Sequence, residues 1–144
     1  MTKPAAHRIE VTRDIPTCRA LRREVFIVEQ GVSEADEVDD QDDAAIHLLA
    51  YHGDAPVGTA RLLLKGETGK IGRVCVQVPA RGSGLGAALI RAALDVLRQQ
   101  PGVTLAALGA QSHATGFYEK LGFRVAGEAF IDAGIEHRSM ILDL

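Results

Sequence analysis

Cysteine is scarce in this sequence, with only Cys18 and Cys75 among 144 residues. Their separation fits no zinc-ligand spacing and no disulfide framework, so we expect neither a metal centre nor a disulfide-stabilised fold. Cys75 lies within an apolar strand pattern, where a small buried side chain is a simpler interpretation than a nucleophile. This cysteine usage also predicts a reducing, cytoplasmic location.

Long hydrophobic runs and an excess of positive charge are also missing. No apolar run approaches the ~18 residues needed to span a membrane, and residues 1–8 lack the apolar core of a signal peptide. The net charge is −3, which provides no general basic surface for nucleic acid. We therefore expect neither a membrane nor a nucleic-acid partner.

What is present is the composition of a globular domain. Hydrophobic residues make up 47% and charged residues 24% of the chain, which are ordinary values for such a domain. A chain of 144 residues is long enough to build a single core. No repeat, low-complexity tract or linker divides it, so we predict one domain over residues 1–144.

Hydrophobic periodicity predicts strands that outnumber the helices. The predicted strands are 8–13, 46–51, 57–64, 71–78, 103–108, 123–126 and 135–142. The predicted helices are 17–28, 84–99 and 112–121. A helix between strands 71–78 and 103–108 implies a parallel crossover, whereas the earlier hairpins imply antiparallel pairing. We predict an α/β fold with a mixed, mostly antiparallel central sheet and helices on both faces.

A glycine-rich turn, Arg81-Gly82-Ser83-Gly84-Leu85-Gly86, joins strand 71–78 to helix 84–99. Such a turn exposes backbone N–H groups at the positive end of a helix dipole, which is typical of a phosphate-binding site. The segment also matches the dinucleotide fingerprint as Gly82-x-Gly84-x-x-Ala87. However, it follows several strands instead of opening the fold, and no acidic residue stands about 20 positions later to bind a ribose. Taken alone, the turn leaves the phosphate ligand open, with a nicotinamide dinucleotide as one alternative.

A second segment, Gly116-Phe117-Tyr118-Glu119-Lys120-Leu121-Gly122-Phe123, follows one strand later. Together with Arg81-x-x-Gly84-x-Gly86, it resembles the GNAT superfamily of acyl-CoA N-acyltransferases, whose element order fits nearly the whole chain. Further segments resemble the ElaA-type branch of that superfamily, namely residues 22–30, 71–74, 110–111 and the pattern Phe130-x-x-x-Gly134-Ile135-x-His137. The resemblance implies a GNAT-like fold in which acetyl-CoA is the acyl donor.

The resemblance also implies which residues bind that donor. The backbone N–H groups of residues 82–87 would bind the pyrophosphate, with Arg81 at the mouth. Strand 71–78 would splay from the next strand and pair with the pantetheine amides, and Gln111 stands where many members carry asparagine. The complete predicted set is Val74, Cys75, Val76, Arg81, Gly82, Ser83, Gly84, Leu85, Gly86, Ala87 and Gln111.

For catalysis, the resemblance places Tyr118 as the general acid that protonates the departing thiolate. Three residues, Glu29, His47 and His137, are candidates for the general base. Glu29 matches a family position near the acceptor pocket, and His47 supplies an imidazole, a side chain suited to proton transfer. The residues expected to bind the acceptor are Phe26, Glu37, Asp39, Asp42 and His137.

Residues 34–43 form a strongly acidic stretch, with seven carboxylates in ten positions. It lacks the central glycine of an EF-hand calcium loop. Its simplest interpretation is a solvated surface run, and its functional interpretation is the attraction of a cationic amine acceptor. A third interpretation is that Glu37, Asp39 and Asp42 position Arg23 or Arg61.

We therefore predict an N-acetyltransferase that moves an acetyl group from acetyl-CoA to a primary amine by direct attack in a ternary complex. A noncatalytic acyl-CoA-binding regulatory module would carry the same donor motif and is an alternative, as is a nicotinamide-dependent enzyme. The expected partners are acetyl-CoA, an amine acceptor and, through an exposed final strand, a second copy in a homodimer.

Overall fold

The computed structural model describes residues 7–144. In this part of the chain the strands are β1 (His7–Thr12), β2 (Ile46–His52), β3 (Ala55–Lys65), β4 (Thr68–Val76), β5 (Leu105–Gln111), β6 (Arg124–Asp132) and β7 (Ile135–Asp143). The α-helices are α1 (Ile15–Arg22), α2 (Glu34–Glu37), α3 (Leu85–Arg98) and α4 (Thr115–Glu119). A π-helical segment, Arg23–Glu29, continues α1, and 3₁₀ turns lie at Asp42–Ala44, Val78–Ala80 and Ser112–Ala114. Among these elements, no helix has the length and apolarity needed to cross a membrane.

Local sequence signals explain how the first helix begins. The Asp14 carboxylate accepts a hydrogen bond from the Thr17 backbone N–H at 3.2 Å, as expected of a helix cap. Pro16 lies in the first turn, where its missing N–H costs no helical hydrogen bond. The helix then widens into the π segment, a rare conformation that is frequent at functional sites.

All seven strands of the described chain form one sheet, in the order β1-β2-β3-β4-β5-β7-β6. Neighbouring strands pair antiparallel except β4 and β5, which run parallel. The parallel pairing covers only residues 68–70 against 105–107. The predicted mixed, mostly antiparallel sheet is confirmed, and β4 and β5 do not pair with each other beyond Lys70.

Helices cover both faces of this sheet. Leu48 and Leu49 are consecutive residues of β2, so their side chains point to opposite faces. Leu48 belongs to the larger core cluster, with Leu89 of α3, whereas Leu49 belongs to a smaller cluster with Cys18 of α1. These side chains are buried, and burial of one leucine contributes about 1.5–3 kcal/mol. The core therefore holds α1 and α3 against opposite faces of the sheet.

Several element boundaries differ from the sequence predictions. The strand predicted at 123–126 extends as β6 to Asp132, because pairing with β7 resumes beyond a bulge between Val125 and Ala129. The helix predicted at 112–121 divides into a 3₁₀ turn and the short α4. The acidic stretch contains α2, whose first turn is capped by the Ser33 hydroxyl.

Candidate active site

Between β4 and β5 lies a cavity of about 450 Å³. It forms where the strands separate, since residues 71–76 of β4 have no partner on the β5 side. Such a strand edge offers unpaired backbone N–H and C=O groups to an extended ligand. Side chains from both faces of the sheet line the cavity, among them Phe26, Gln30, Glu37, Val74, Gln111, Tyr118 and His137.

A β-bulge changes the course of β4 at the start of this free edge. The β3–β4 register shifts between Thr59 and Arg61, and Arg73 adopts a φ of 50°, which non-glycine residues rarely do. The Arg73 guanidinium donates to the carbonyl oxygens of Asp36 at 3.3 Å and Glu37 at 3.0 Å. These contacts attach β4 to the C-terminal end of α2 and hold a strained backbone of the kind found at functional sites.

The glycine turn leads from β4 into α3. Gly82 has a φ of 78° and Gly84 a φ of 81°, so both positions require the conformational freedom of glycine. The first hydrogen bond of α3 runs from Ala88 N to Gly84 O at 3.0 Å, and no side chain caps the helix. The N–H groups of residues 85–87 therefore point out of the helix without an intrahelical acceptor. A Cβ placed on Gly82 or Gly84 meets no atom within 4 Å, so the turn is open to a ligand.

Side chains around the turn are held in place by one another. Arg81 donates two hydrogen bonds to Glu29, at 2.6 and 2.7 Å, and a third to the Val76 carbonyl oxygen at 2.9 Å. The hydrogen bond from Arg81 lowers the pKa of the Glu29 carboxyl. The Ser83 hydroxyl donates to the Ala80 carbonyl oxygen at 2.6 Å. Glu29 is thus the partner of Arg81 at the turn, and a carboxylate so engaged is a weak candidate for a general base.

Other predicted donor-binding side chains serve the core. Leu85 is buried in the larger cluster, and Cys75 is buried in the smaller one beside Cys18. Burial raises the pKa of the Cys75 thiol to about 12, so it carries no thiolate at neutral pH. Only the backbone of these two residues is left to contact a ligand, and the interpretation of Cys75 as a buried structural residue is confirmed.

Tyr118 contributes its ring to the cavity from α4. Phe117 and Phe123 contact this ring edge-on, with centroids 5.0 and 6.1 Å away. Burial raises the pKa of the phenol, because the phenolate would lose its hydration. Tyr118 is therefore protonated at neutral pH and oriented by its neighbours. Its role as the acid stays a prediction.

The acidic stretch folds onto arginines. Arg22 donates to Glu37 at 2.6 Å and to both carboxylate oxygens of Asp42, at 2.8 and 2.9 Å. Arg61 donates to Asp39 at 2.7 and 2.8 Å. Burial alone would raise the pKa of Asp42, but the hydrogen bonds from Arg22, Arg19 and Arg61 outweigh it and lower that pKa.

These contacts correct the predicted acceptor site. Asp42 is 2% exposed and does not line the cavity, so we remove it from the acceptor-binding set. Glu37 lines the cavity, but its carboxylate accepts a hydrogen bond from Arg22. Of the two arginines proposed as partners, Arg61 is confirmed, whereas Arg23 binds Glu34 at 3.0 Å.

His47 also lies outside the cavity lining. Its side chain is 2% exposed, and Nε2 lies 2.8 Å from the Asp42 carbonyl oxygen. Because a carbonyl oxygen only accepts, Nε2 donates, and Nδ1 has no hydrogen-bond partner within the described chain. The prediction of His47 as general base is not supported by this position, and we remove it from the catalytic set.

Most residues that line the cavity were not among the predicted site residues, and three of them carry polar or charged side chains of interest, Gln30, Lys70 and Arg73. Arg73 had a usable signal, since Gly72 interrupts a strand pattern and an isolated strand glycine often marks a bulge. Lys70 had no such signal in the sequence, because its position at the cavity depends on where β4 and β5 stop pairing.

Comparison with known proteins identifies the family. Residues 14–144 match the family model of the acetyltransferase (GNAT) domain. The chain belongs to the GNAT family. The GNAT fold predicted from the two motifs is confirmed, as is the resemblance to ElaA.

Three relatives of this GNAT protein illustrate the likeness. The Bacillus subtilis protein YyaT is 39% identical over 140 residues, which cover 95% of this chain and 94% of that protein. The structure of an acyl-CoA N-acyltransferase from Pseudomonas aeruginosa matches with a TM-score of 0.84 at 30% identity, covering 95% of this chain and 98% of that one. Escherichia coli ElaA matches with a TM-score of 0.81 at 28% identity, with the same coverage of 95% and 98%.

No group of three or more His, Cys, Asp or Glu side chains is arranged to hold a metal ion within residues 7–144 of the GNAT protein.

Proposed function

We propose that this protein is an N-acetyltransferase that transfers the acetyl group of acetyl-CoA to a primary amine by direct attack in a ternary complex. The observation that carries the proposal is the free edge of β4 at residues 71–76, which leads directly into a turn with unpaired backbone N–H groups. An extended amide chain that ends in a pyrophosphate fits both features. A nicotinamide dinucleotide lacks the amide chain, so the free strand edge argues against it.

The residues present fit the donor in three ways. Residues 74–76 would pair with the pantetheine amides through their backbone. The N–H groups of residues 82–87 would bind the pyrophosphate, since they lie at the positive end of α3. Gln111 lines the cavity, and Arg81 at the turn would exchange part of its contact with Glu29 for phosphate.

The chemistry needed from the protein is proton transfer. An amine nitrogen bonds to the acyl carbon while the carbon–sulfur bond breaks. The Tyr118 hydroxyl donates its proton to the departing sulfur, because a phenol is the matching acid for a thiolate in this buried cavity. The acetyl donor, the primary-amine acceptor and the ternary complex all belong to this proposal, as do a cytoplasmic location and a homodimer.

Binding and turnover together test the proposal. We expect calorimetry to show binding of acetyl-CoA and of CoA but not of NAD, and thiol release from acetyl-CoA to accelerate on addition of an amine. The amines are Nα-acetyl-lysine amide, which offers an ε-amine, and alanyl-glycine amide, which offers an α-amine. Acetyl-CoA binding without turnover over a wider amine panel would favour a regulatory module, and NAD binding without CoA binding would defeat the proposal.

The glycine turn gives a separate test of donor binding. Gly84→Ala places a side chain at a φ of 81°, a conformation that costs an alanine about 1–2 kcal/mol. We expect the turn to relax and acetyl-CoA to bind about tenfold more weakly, since tenfold in affinity is about 1.4 kcal/mol. Calorimetry measures the dissociation constant.

The matched control for this substitution is Gly102→Ala. Gly102 has a φ of 77° and the same open surroundings, but it follows the other end of α3. It should lower the melting temperature like Gly84→Ala and leave acetyl-CoA binding unchanged. Equal acetyl-CoA affinities for the two variants would show that the turn does not hold the donor.

A further inference from the structure

We propose that His137 is the general base that takes a proton from the acceptor amine. The inference rests on the proposed acetyl transfer and assigns a step in it. His137 lies on β7, opposite Gln111 of β5 and Phe130 of β6. Its side chain lines the same cavity as Tyr118, so the proposed acid and the proposed base line one cavity.

The tautomer of His137 is fixed by the backbone. Nδ1 lies 2.7 Å from the carbonyl oxygen of Ile135. A carbonyl oxygen only accepts hydrogen bonds, so Nδ1 carries the proton and donates. In the neutral ring the lone pair is then on Nε2, the atom that a general base needs. His47 differs, because its bond to Asp42 places the proton on Nε2 in a buried site.

Packing fixes the plane of the His137 ring. Phe130 stacks on it, with ring centroids 5.7 Å apart and an angle of 26° between the planes. Gly109 of β5 makes room for Phe130, since a Cβ there would lie 3.1 Å from the Phe130 Cζ atom. The imidazole is therefore oriented before any acceptor binds. A histidine oriented in this way is better placed to take a proton than a mobile surface histidine.

The carboxylates at the cavity are less suited to this step. Glu37 is 4% exposed and accepts from Arg22 at 2.6 Å. Glu29 does not line the cavity, and Arg81 holds its carboxylate. Asp36 and Asp132 line the cavity but are exposed to solvent, whereas the His137 ring is held by its neighbours.

The protons balance as follows. The acceptor enters as an ammonium and loses one proton to His137 Nε2, which makes the amine nucleophilic. The nitrogen–carbon bond forms, the carbon–sulfur bond breaks, and the sulfur takes the Tyr118 proton. The nitrogen sheds a second proton, which restores the Tyr118 hydroxyl through solvent. His137 returns its proton to bulk water, so one acetyl transfer releases one proton overall.

The test compares two amines that differ in how much base they need. At pH 7.5 only about one part in a thousand of an ε-amine of pKa ~10.4 is neutral, against about a third of an α-amine of pKa ~7.8. We expect His137→Gln to lower kcat about 10²-fold with Nα-acetyl-lysine amide and under tenfold with alanyl-glycine amide. Acetyl-CoA affinity by calorimetry should be unchanged. Imidazole in the buffer should partly restore turnover in His137→Ala.

His52→Gln is the matched control, because His52 is an exposed histidine at the end of β2 outside the cavity lining. It should keep the kcat of the unaltered enzyme with both amines. An equal loss with both amines in His137→Gln, without imidazole rescue of His137→Ala, would assign His137 a structural role and overturn the inference. Unchanged turnover in His137→Gln would overturn it too, while the proposed function would stand. Absence of turnover in the unaltered enzyme would overturn both.

Discussion

Replacing Tyr118 by phenylalanine is expected to lower kcat about 10³-fold while acetyl-CoA affinity stays within twofold. General acids contribute about 10²–10⁴-fold, and the thiolate would otherwise leave without a proton. The ring should keep its place, because its packing against Phe117 and Phe123 does not involve the hydroxyl. The melting temperature should therefore change little. Thiol release under saturating acetyl-CoA measures kcat, and calorimetry measures the affinity.

Tyr51→Phe is the matched control, since Tyr51 is the other of the two tyrosines in the chain. It lies on β2, where its ring packs beneath the Arg8 guanidinium at 4.4 Å, and it does not line the cavity. Removal of the Tyr51 hydroxyl should therefore leave kcat unchanged. Full activity in Tyr118→Phe would show that water or another group protonates the thiolate. Because burial raises the Tyr118 pKa, its deprotonation should limit kcat only above about pH 10.

The conformation of the glycine turn could be predicted from the sequence because its signals are local. The glycines of the turn stand between an apolar strand pattern and a helical pattern, and the structure gives Gly82 and Gly84 the positive φ that only glycine adopts readily. The order of the strands along the chain was predicted from hydrophobic periodicity, which is also a local signal. The separation of β4 from β5 had to come from the family resemblance, because nothing in residues 71–78 shows where pairing with the next strand stops.

The contacts of the acidic stretch could not be predicted from the sequence because they depend on tertiary partners. Glu37, Asp39 and Asp42 look like a solvated charge run, yet each is bound to an arginine at least 15 residues away in sequence. The burial of Arg22 and Arg61 could not be predicted, since arginine is seldom buried without a partner and the sequence does not show which carboxylates pair with them. The sequence likewise does not distinguish His47 from His137. Their hydrogen bonds do, because Nε2 of His47 donates in a buried site, whereas Nδ1 of His137 donates and leaves Nε2 able to accept.

Replacing Arg22 by methionine is expected to lower the free energy of unfolding by about 3–5 kcal/mol. Arg22 is 1% exposed, and its removal leaves Glu37 without its 2.6 Å partner and Asp42 without two hydrogen bonds. A buried carboxylate stripped of its partner costs about this much. Because the same arginine holds α1 to the acidic stretch, acceptor turnover should fall as well. Urea unfolding monitored by circular dichroism measures the stability.

Arg23→Met is the matched control, because the adjacent Arg23 binds Glu34 with both side chains exposed, at 59% and 68%. Exposed pairs contribute at most about 1 kcal/mol, so this variant should stay close to the unaltered protein. The pH dependence distinguishes lost charge pairing from lost packing. The lowered pKa of Asp42 stabilises the fold above the unfolded carboxyl pKa of about 3.9, and that stabilisation is lost as the pH falls through the folded-state pKa. The deficit of Arg22→Met should therefore be largest near neutral pH and narrow below about pH 4. A deficit that is the same at pH 7 and pH 3 would mean that Arg22 acts through its packing alone.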